Sequence, residues 1–207
     1  MQMGQTHRDA LADLLVWRRD VRHFRTEAID GAVLGRLRAA MDRAPAVGNA
    51  RPWRVMQVED AAKRAAVTAN FEAANARAAD IYEGEAAQKY RSLKLAGLHD
   101  APVHLAVWTD TAPAEGAGLG RQTMPEMLAY STVAAIHTLW LAARAENIGV
   151  GWVSILDPAP LKDLFGVPAT WDLTAYLCVG HAAEDADTPL LHRAGWQDNT
   201  ATHWDVV

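Results

Sequence analysis

Cysteine is almost absent from the 207 residues: Cys178 stands alone in the apolar run Ala175-Tyr176-Leu177-Cys178-Val179. A single cysteine excludes an intrachain disulfide and any cysteine-based zinc site. Its apolar neighbours predict a buried strand residue, inert rather than nucleophilic. Basic charge is not in excess either, with a net charge of -5 and a pI near 5.9. A general nucleic-acid binder shows a basic stripe, so that class of partner is not expected. No stretch reaches the ~20 strongly apolar residues that a membrane-spanning helix needs. The longest candidate, residues 127–145, is interrupted by Tyr130, Ser131, Thr132, His137, Thr138 and Arg144 and is otherwise rich in alanine. It reads as a core or interface helix. Residues 1–9 are polar and lack the apolar segment of a secretion signal, so a reducing, cytoplasmic location is expected.

Several catalytic signatures are missing too. The eight histidines form no H-x-x-x-H pair and join no carboxylate cluster, so no metal site is expected. There is no G-x-S-x-G elbow. Gly116-Ala117-Gly118-Leu119-Gly120-Arg121 carries arginine where the dinucleotide fingerprint needs its last glycine, and this excludes a Rossmann site. The segment reads instead as a flexible loop over a pocket.

What remains is a single domain, residues 1–207, with no repeat and no low-complexity linker. Helical periodicity covers 7–17, 30–41, 61–79 and 86–98, with Asp30 as an N-cap. Strand-like runs cover 53–58, 103–109, 149–156 and 173–179. The order is two helices, a strand, two helices, a strand, a long helix, then two strands around a short helix at 158–164. Strict strand-helix alternation is absent, so the expectation is an α+β fold with a small sheet against a thick helical layer. Residues 188–207 lose periodicity but keep Trp196 and Trp204, and a second copy of the chain is the simplest body for such a tail to wrap.

Three segments invite chemistry. Arg18-Arg19-Asp20-Val21-Arg22 places one carboxylate among three guanidiniums. Such a cluster either pairs with itself on the surface or binds an anion such as a phosphate, which guanidinium forks match bidentately. Residues 44–53 join helix to strand through Pro45 and Pro52, a stiff connector whose amides can face a flat ring. In 149–158, glycines beside Trp152 and Val153 admit a close approach to the backbone, and Ser154 is a lone hydroxyl in an apolar strand.

Together these segments resemble the nitroreductase-like flavoproteins, and within them the branch that makes 5,6-dimethylbenzimidazole for cobalamin. The Arg18–Arg22 run, Lys89-Tyr90-Arg91-Ser92-Leu93-Lys94-Leu95-Ala96-Gly97-Leu98, Leu119-Gly120-Arg121, Tyr130-Ser131-Thr132-Val133 and residues 139–146 carry the likeness, which covers about 17–196. The resemblance implies a small, mostly antiparallel sheet flanked by helices in an intertwined homodimer, with FMN at the subunit interface. It implies a flavin-consuming synthase: reduced FMN meets O2 and is fragmented to 5,6-dimethylbenzimidazole and a sugar phosphate. A partner flavin reductase using NAD(P)H is one route to the reduced FMN, and the sequence leaves the electron donor open.

By the same resemblance Arg18, Arg19, Asp20 and Arg22 hold the phosphate and ribityl end. Pro45, Ala46, Val47 and Arg51, with Trp152, Val153 and Ser154, face the ring, and Asp20 and Ser154 are associated with turnover. A carboxylate beside the ribityl chain suits proton removal from the carbon next to the ring. Two departures stand out: Ala46 and Arg51 take places that usually hold serine and glutamine. An NAD(P)H-dependent nitroreductase or flavin reductase, and a non-catalytic flavin-binding protein, are the alternatives.

Overall fold

The computed structural model describes residues 1–93 and 96–207; of the motif at 89–98, Lys94 and Leu95 lie outside the described residues. Four strands form one antiparallel sheet in the order β1-β2-β4-β3: β1 (Trp53–Gln57), β2 (Val103–Asp110), β3 (Gly149–Val153) and β4 (Trp171–Gly180). Alternation along the two central strands divides the core. Val103, Val107, Ala175, Leu177 and Val179 face one side, against α2 (Gly31–Met41) and the long α5 (Met127–Ala145). Ala106, Trp108, Tyr176 and Cys178 face the other, against α3 (Ala61–Ala79) and α6 (Pro158–Phe165). The α+β expectation is met.

Helix starts follow local chemistry. Asp30 accepts the Ala32 amide at 2.7 Å, and Asp60 accepts those of Ala62 and Lys63 at 2.8 and 3.0 Å, satisfying donors that the first turn leaves unpaired. Asp157 caps α6 in the same way, with proline at its first position. Two spans differ from expectation. The fourth helix, α4, runs Gly84–Ser92 rather than 86–98, and β3 stops at Val153, leaving Ser154 beyond the strand and exposed.

Cys178 is fully buried, and burial pushes its thiol up to about 12, as an inert packing residue requires. A bulge lies between Val107 and Trp108: Val107 pairs with Ala175 but Trp108 with Leu173, so Thr174 is the extra residue. Its hydroxyl stands 2.6 Å from that of Thr109, which in turn donates to Thr132 on α5 at 2.8 Å. These hydroxyls pin the long helix to the sheet.

The first helix, α1 (Gln5–Trp17), buries none of its residues, and Leu11, Leu15, Val16 and Trp17 are exposed. Tyr130 and Val133 on α5 are exposed as well. At the other end of the chain, Trp196 packs on this chain's own Tyr82 and Tyr90, and the Lys89 ammonium donates to the Gly195 carbonyl. Beyond it Trp204, Val206 and Val207 are uncovered. The tail expected at 188–207 therefore has an anchored first half and a free second half.

Candidate functional site

Residues 20–25 leave α1 and run along the outer edge of β3. Val21 donates its amide to the Val150 carbonyl at 3.0 Å, and an isolated bridge joins Phe24 to Ala182. The glycines of β3 make this contact possible. A Cβ on Gly151 would stand 2.1 Å from the Val21 carbonyl oxygen, and one on Gly149 would stand 2.8 Å from a Val21 methyl. The body admitted by these glycines is the chain's own 20–25 segment.

Asp20 sits where this segment meets the sheet. One carboxylate oxygen accepts the Trp152 amide at 2.8 Å, and the other accepts the Arg22 guanidinium at 2.9 Å. The carboxylate side chain remains 32% exposed, against 12% for that of Arg22, so it is clipped in place yet open to a ligand. Arg19 donates through Nε and Nη2 to the Asp187 carbonyl and through Nη1 to that of Arg18. Burial, then the Arg18 charge, lower its pKa, partly opposed by Asp187. The Arg18 guanidinium lies 4.9 Å over the Trp140 ring, and Trp140 is steadied by donating to the Arg19 carbonyl at 3.2 Å.

Arg18, Arg19, Asp20 and Arg22 line one groove of about 160 Å³, closed on the far side by Pro189, Leu190 and Leu191. A groove with three guanidiniums and one exposed carboxylate can hold a phosphate and a polyol beside it. Trp152 is half-buried with its ring 6.4 Å from Trp140, whereas Val153 is buried in the core. Ser154 lies two residues past Trp152 along that edge.

The other expected residues lie elsewhere. Pro45 and Arg51 are exposed and Ala46 and Val47 half-buried, in a loop that contains a single 3-10 turn, Val47–Asn49, and ends at β1. Gly48, Asn49 and Arg51 are all left-handed there. Trp53 pairs with Thr109, and Thr109 with Asp172; Asp20 bridges Val150, which pairs with Val179. The loop and the arginines thus occupy diagonally opposite corners of the sheet. They are separated by roughly 19 Å across four strand spacings and roughly 23 Å along β4. One chain does not bring both halves of the expected site together.

The glycine-rich 116–120 segment, expected as a loop over a pocket, packs on this loop instead. A Cβ on Gly116 would meet the Gly48 carbonyl at 2.8 Å, and one on Gly120 would meet Val47 at 2.8 Å. Ser131 reaches the loop from α5, accepting the Val47 amide at 3.0 Å. The sequence pattern gave Ser131 and Trp140 no site role and placed residues 189–191 in a tail expected to wrap a second copy rather than in the wall of this groove. A hydroxyl pair, Ser131-Thr132, inside an apolar helix was the available signal for the first. Among the described residues there is no group of three or more His, Cys, Asp or Glu that holds a metal, and no helix is long and apolar enough to cross a membrane.

Comparison with known proteins gives this geometry its context. The chain is 58% identical over 205 residues to a 5,6-dimethylbenzimidazole synthase of Rhodobacter capsulatus, covering 99% of each chain. It is 50% identical over 190 residues to a 5,6-dimethylbenzimidazole synthase of Rhodospirillum rubrum, covering 92% and 90%. Among solved structures, oxidized iodotyrosine deiodinase bound to FMN and 3-iodo-L-tyrosine superposes with a TM-score of 0.73 at 20% identity, covering 95% and 97% of the two chains. The nitroreductase family matches residues 15–181, a span that holds the arginines of the groove, the 45–51 loop and all four strands, and the chain belongs to that family.

Proposed function

We propose that the protein is a 5,6-dimethylbenzimidazole synthase that binds reduced FMN and, with O2, fragments it to 5,6-dimethylbenzimidazole and a sugar phosphate. The observation that carries the reading is the groove that Arg18, Arg19 and Arg22 line with the partly exposed carboxylate of Asp20. Near-complete alignment with synthases at 50 and 58% identity supports the same reaction.

FMN fits these residues as both cofactor and substrate. When bound and reduced, its ring supplies the electrons for O2. Arg18, whose guanidinium is stacked on Trp140, takes the phosphate, with Arg19 and Arg22 flanking it. Asp20 then lies along the ribityl chain, fixed by the Trp152 amide and Arg22, and accepts the proton leaving the carbon next to the ring. Trp152 and Val153 at the end of β3, and Ser154 just beyond it, would face the ring, with the Ser154 hydroxyl free to hydrogen-bond its rim.

The diagonal separation of arginines and loop favours a homodimer in which Pro45, Ala46, Val47 and Arg51 of one chain face the flavin held by the other. The exposed apolar residues of α1 and α5, and the uncovered end of the tail, give such a dimer its surface. A flavin reductase supplies reduced FMN at the expense of NAD(P)H, in the cytoplasm. Mixing the protein with reduced FMN in air and separating the products by chromatography tests the reading. Formation of 5,6-dimethylbenzimidazole supports it; simple return of the flavin to its oxidised form refutes it.

A further inference from the structure

We infer that Ser131 is the positioning residue that sets the 46–51 loop, and through it the flavin ring, for fragmentation; this rests on the flavin reading above. Ser131 is 4% exposed on α5. Its hydroxyl donates to the Met127 carbonyl at 2.6 Å, one turn back, and accepts the Val47 amide at 3.0 Å. One side chain thus joins the loop to the long helix.

The rest of the loop shows why that bond matters. Residues 46–51 read Ala-Val-Gly-Asn-Ala-Arg and contain no hydroxyl of their own. The Asn49 amide donates to Ala46 at 3.0 Å and that of Ala50 to Val47 at 2.9 Å. With Val47 held by Ser131, three amides are committed, and the Gly48 amide is touched by none of these bonds. Gly48 is left-handed, and a Cβ there would stand 2.9 Å from the Leu119 carbonyl oxygen, so the 116–120 segment braces the loop from the opposite side. The neighbouring Thr132 is fixed to Thr109 of β2, so α5 is a rigid post for this contact. Ser131 acts through the loop, which would lie along the ring; it is not itself a group that reacts.

The test removes the bond from both ends. Ser131→Ala deletes the acceptor. Val47→Pro deletes the donor, and Ala46 already has the extended backbone (φ -142°, ψ 140°) that a following proline requires. Thr138→Ala is the control, because Thr138 makes the same bond to its own helix, at 2.8 Å to Ala134, without reaching a loop. Each variant is saturated with FMN before the absorption spectrum of the bound flavin is recorded, so a fall in affinity cannot mimic the effect. Peroxide and benzimidazole are then measured after reaction of the reduced form with O2.

The expected result is a shifted spectrum and a raised ratio of peroxide to benzimidazole in Ser131→Ala and in Val47→Pro. The double variant should be no worse than either, and affinity for FMN and riboflavin should fall by the same factor, about fivefold. Thr138→Ala should match wild type. Two results would overturn the assignment: wild-type spectrum and product ratio in Ser131→Ala, or effects of the two substitutions that multiply in the double variant. If wild type yields no benzimidazole, the synthase reading fails instead, while the spectra still decide whether Ser131 positions the loop.

Discussion

At the scale of single residues the carboxylate of Asp20 has two duties. It completes the edge of β3 by accepting the Trp152 amide, and it holds Arg22 beside the groove. Asp20→Asn separates these from the proposed proton transfer. The amide oxygen can still accept the Trp152 N–H, but the amide nitrogen faces the Arg22 donor, so one charge-assisted bond is lost. A thermal melt should show about 1–2 kcal/mol of lost stability. Benzimidazole formation should fall by about 10²–10⁴-fold while bound flavin still reoxidises, as chromatography and absorbance would report. His104 sets a second test. It is buried, 3.0 Å from the Tyr176 hydroxyl, and burial followed by the charge of Arg64 lowers its pKa to about 4. The unfolded chain takes up this proton near pH 6.5, so its contribution is fully present above that value and is lost as pH falls toward 4. The part due to His104 is roughly 3 kcal/mol. His104→Asn keeps a partner for Tyr176 and does not titrate. Denaturant melts across this window should show a shallower loss in the variant, and equal slopes would contradict the assignment. The clustering of the arginines was legible in sequence, but the clip at Asp20 was not, because the Trp152 amide that it accepts lies 132 residues away.

Elements were legible where local chemistry sets their limits. The span of α3 follows from the Asp60 cap and a continuous helical period, and it agrees residue for residue. At β3 the apolar run continues to Leu156, yet the strand ends at Val153, because its partner Tyr176 is the last residue of β4 in register with it. The run of residue types could not reveal that limit. The glycines of β3 signalled a close approach, but nothing local could say that the approaching body was the 20–25 segment. Gly151→Ala exploits this contact. Its Cβ would lie within 2.1 Å of the Val21 carbonyl, so the segment must move off the sheet, at about 1–3 kcal/mol of stability. Because Arg18, Arg19 and Arg22 travel with it, FMN affinity in a fluorescence titration should drop more than riboflavin affinity. An equal drop for both would mean that the phosphate clamp does not depend on this edge.

For the whole molecule, a 13-residue helix that buries nothing is marginal by itself. In the homodimer proposed above, the exposed leucines of α1, one turn apart at Leu11 and Leu15, pack against the second chain. Leu15→Glu should turn a dimer into a monomer by light scattering at micromolar concentration and abolish benzimidazole formation, since each flavin would lose the loop of the other chain. A dimeric, active variant would remove α1 from the interface. Both halves of the proposed site carry their own sequence motif. The motifs could not show that they stand at opposite corners, because register across four strands is a property of the assembled sheet. That sheet also has unequal borders. The outer side of β3 is sealed by Asp20 and Val21, whereas the outer side of β1 has no partner among the described residues and carries the exposed Val55. An unpaired border is the usual starting point for runaway strand addition. With one such border among the described residues of each chain, pairing of two chains there would consume both, and a fibre has no second end from which to grow.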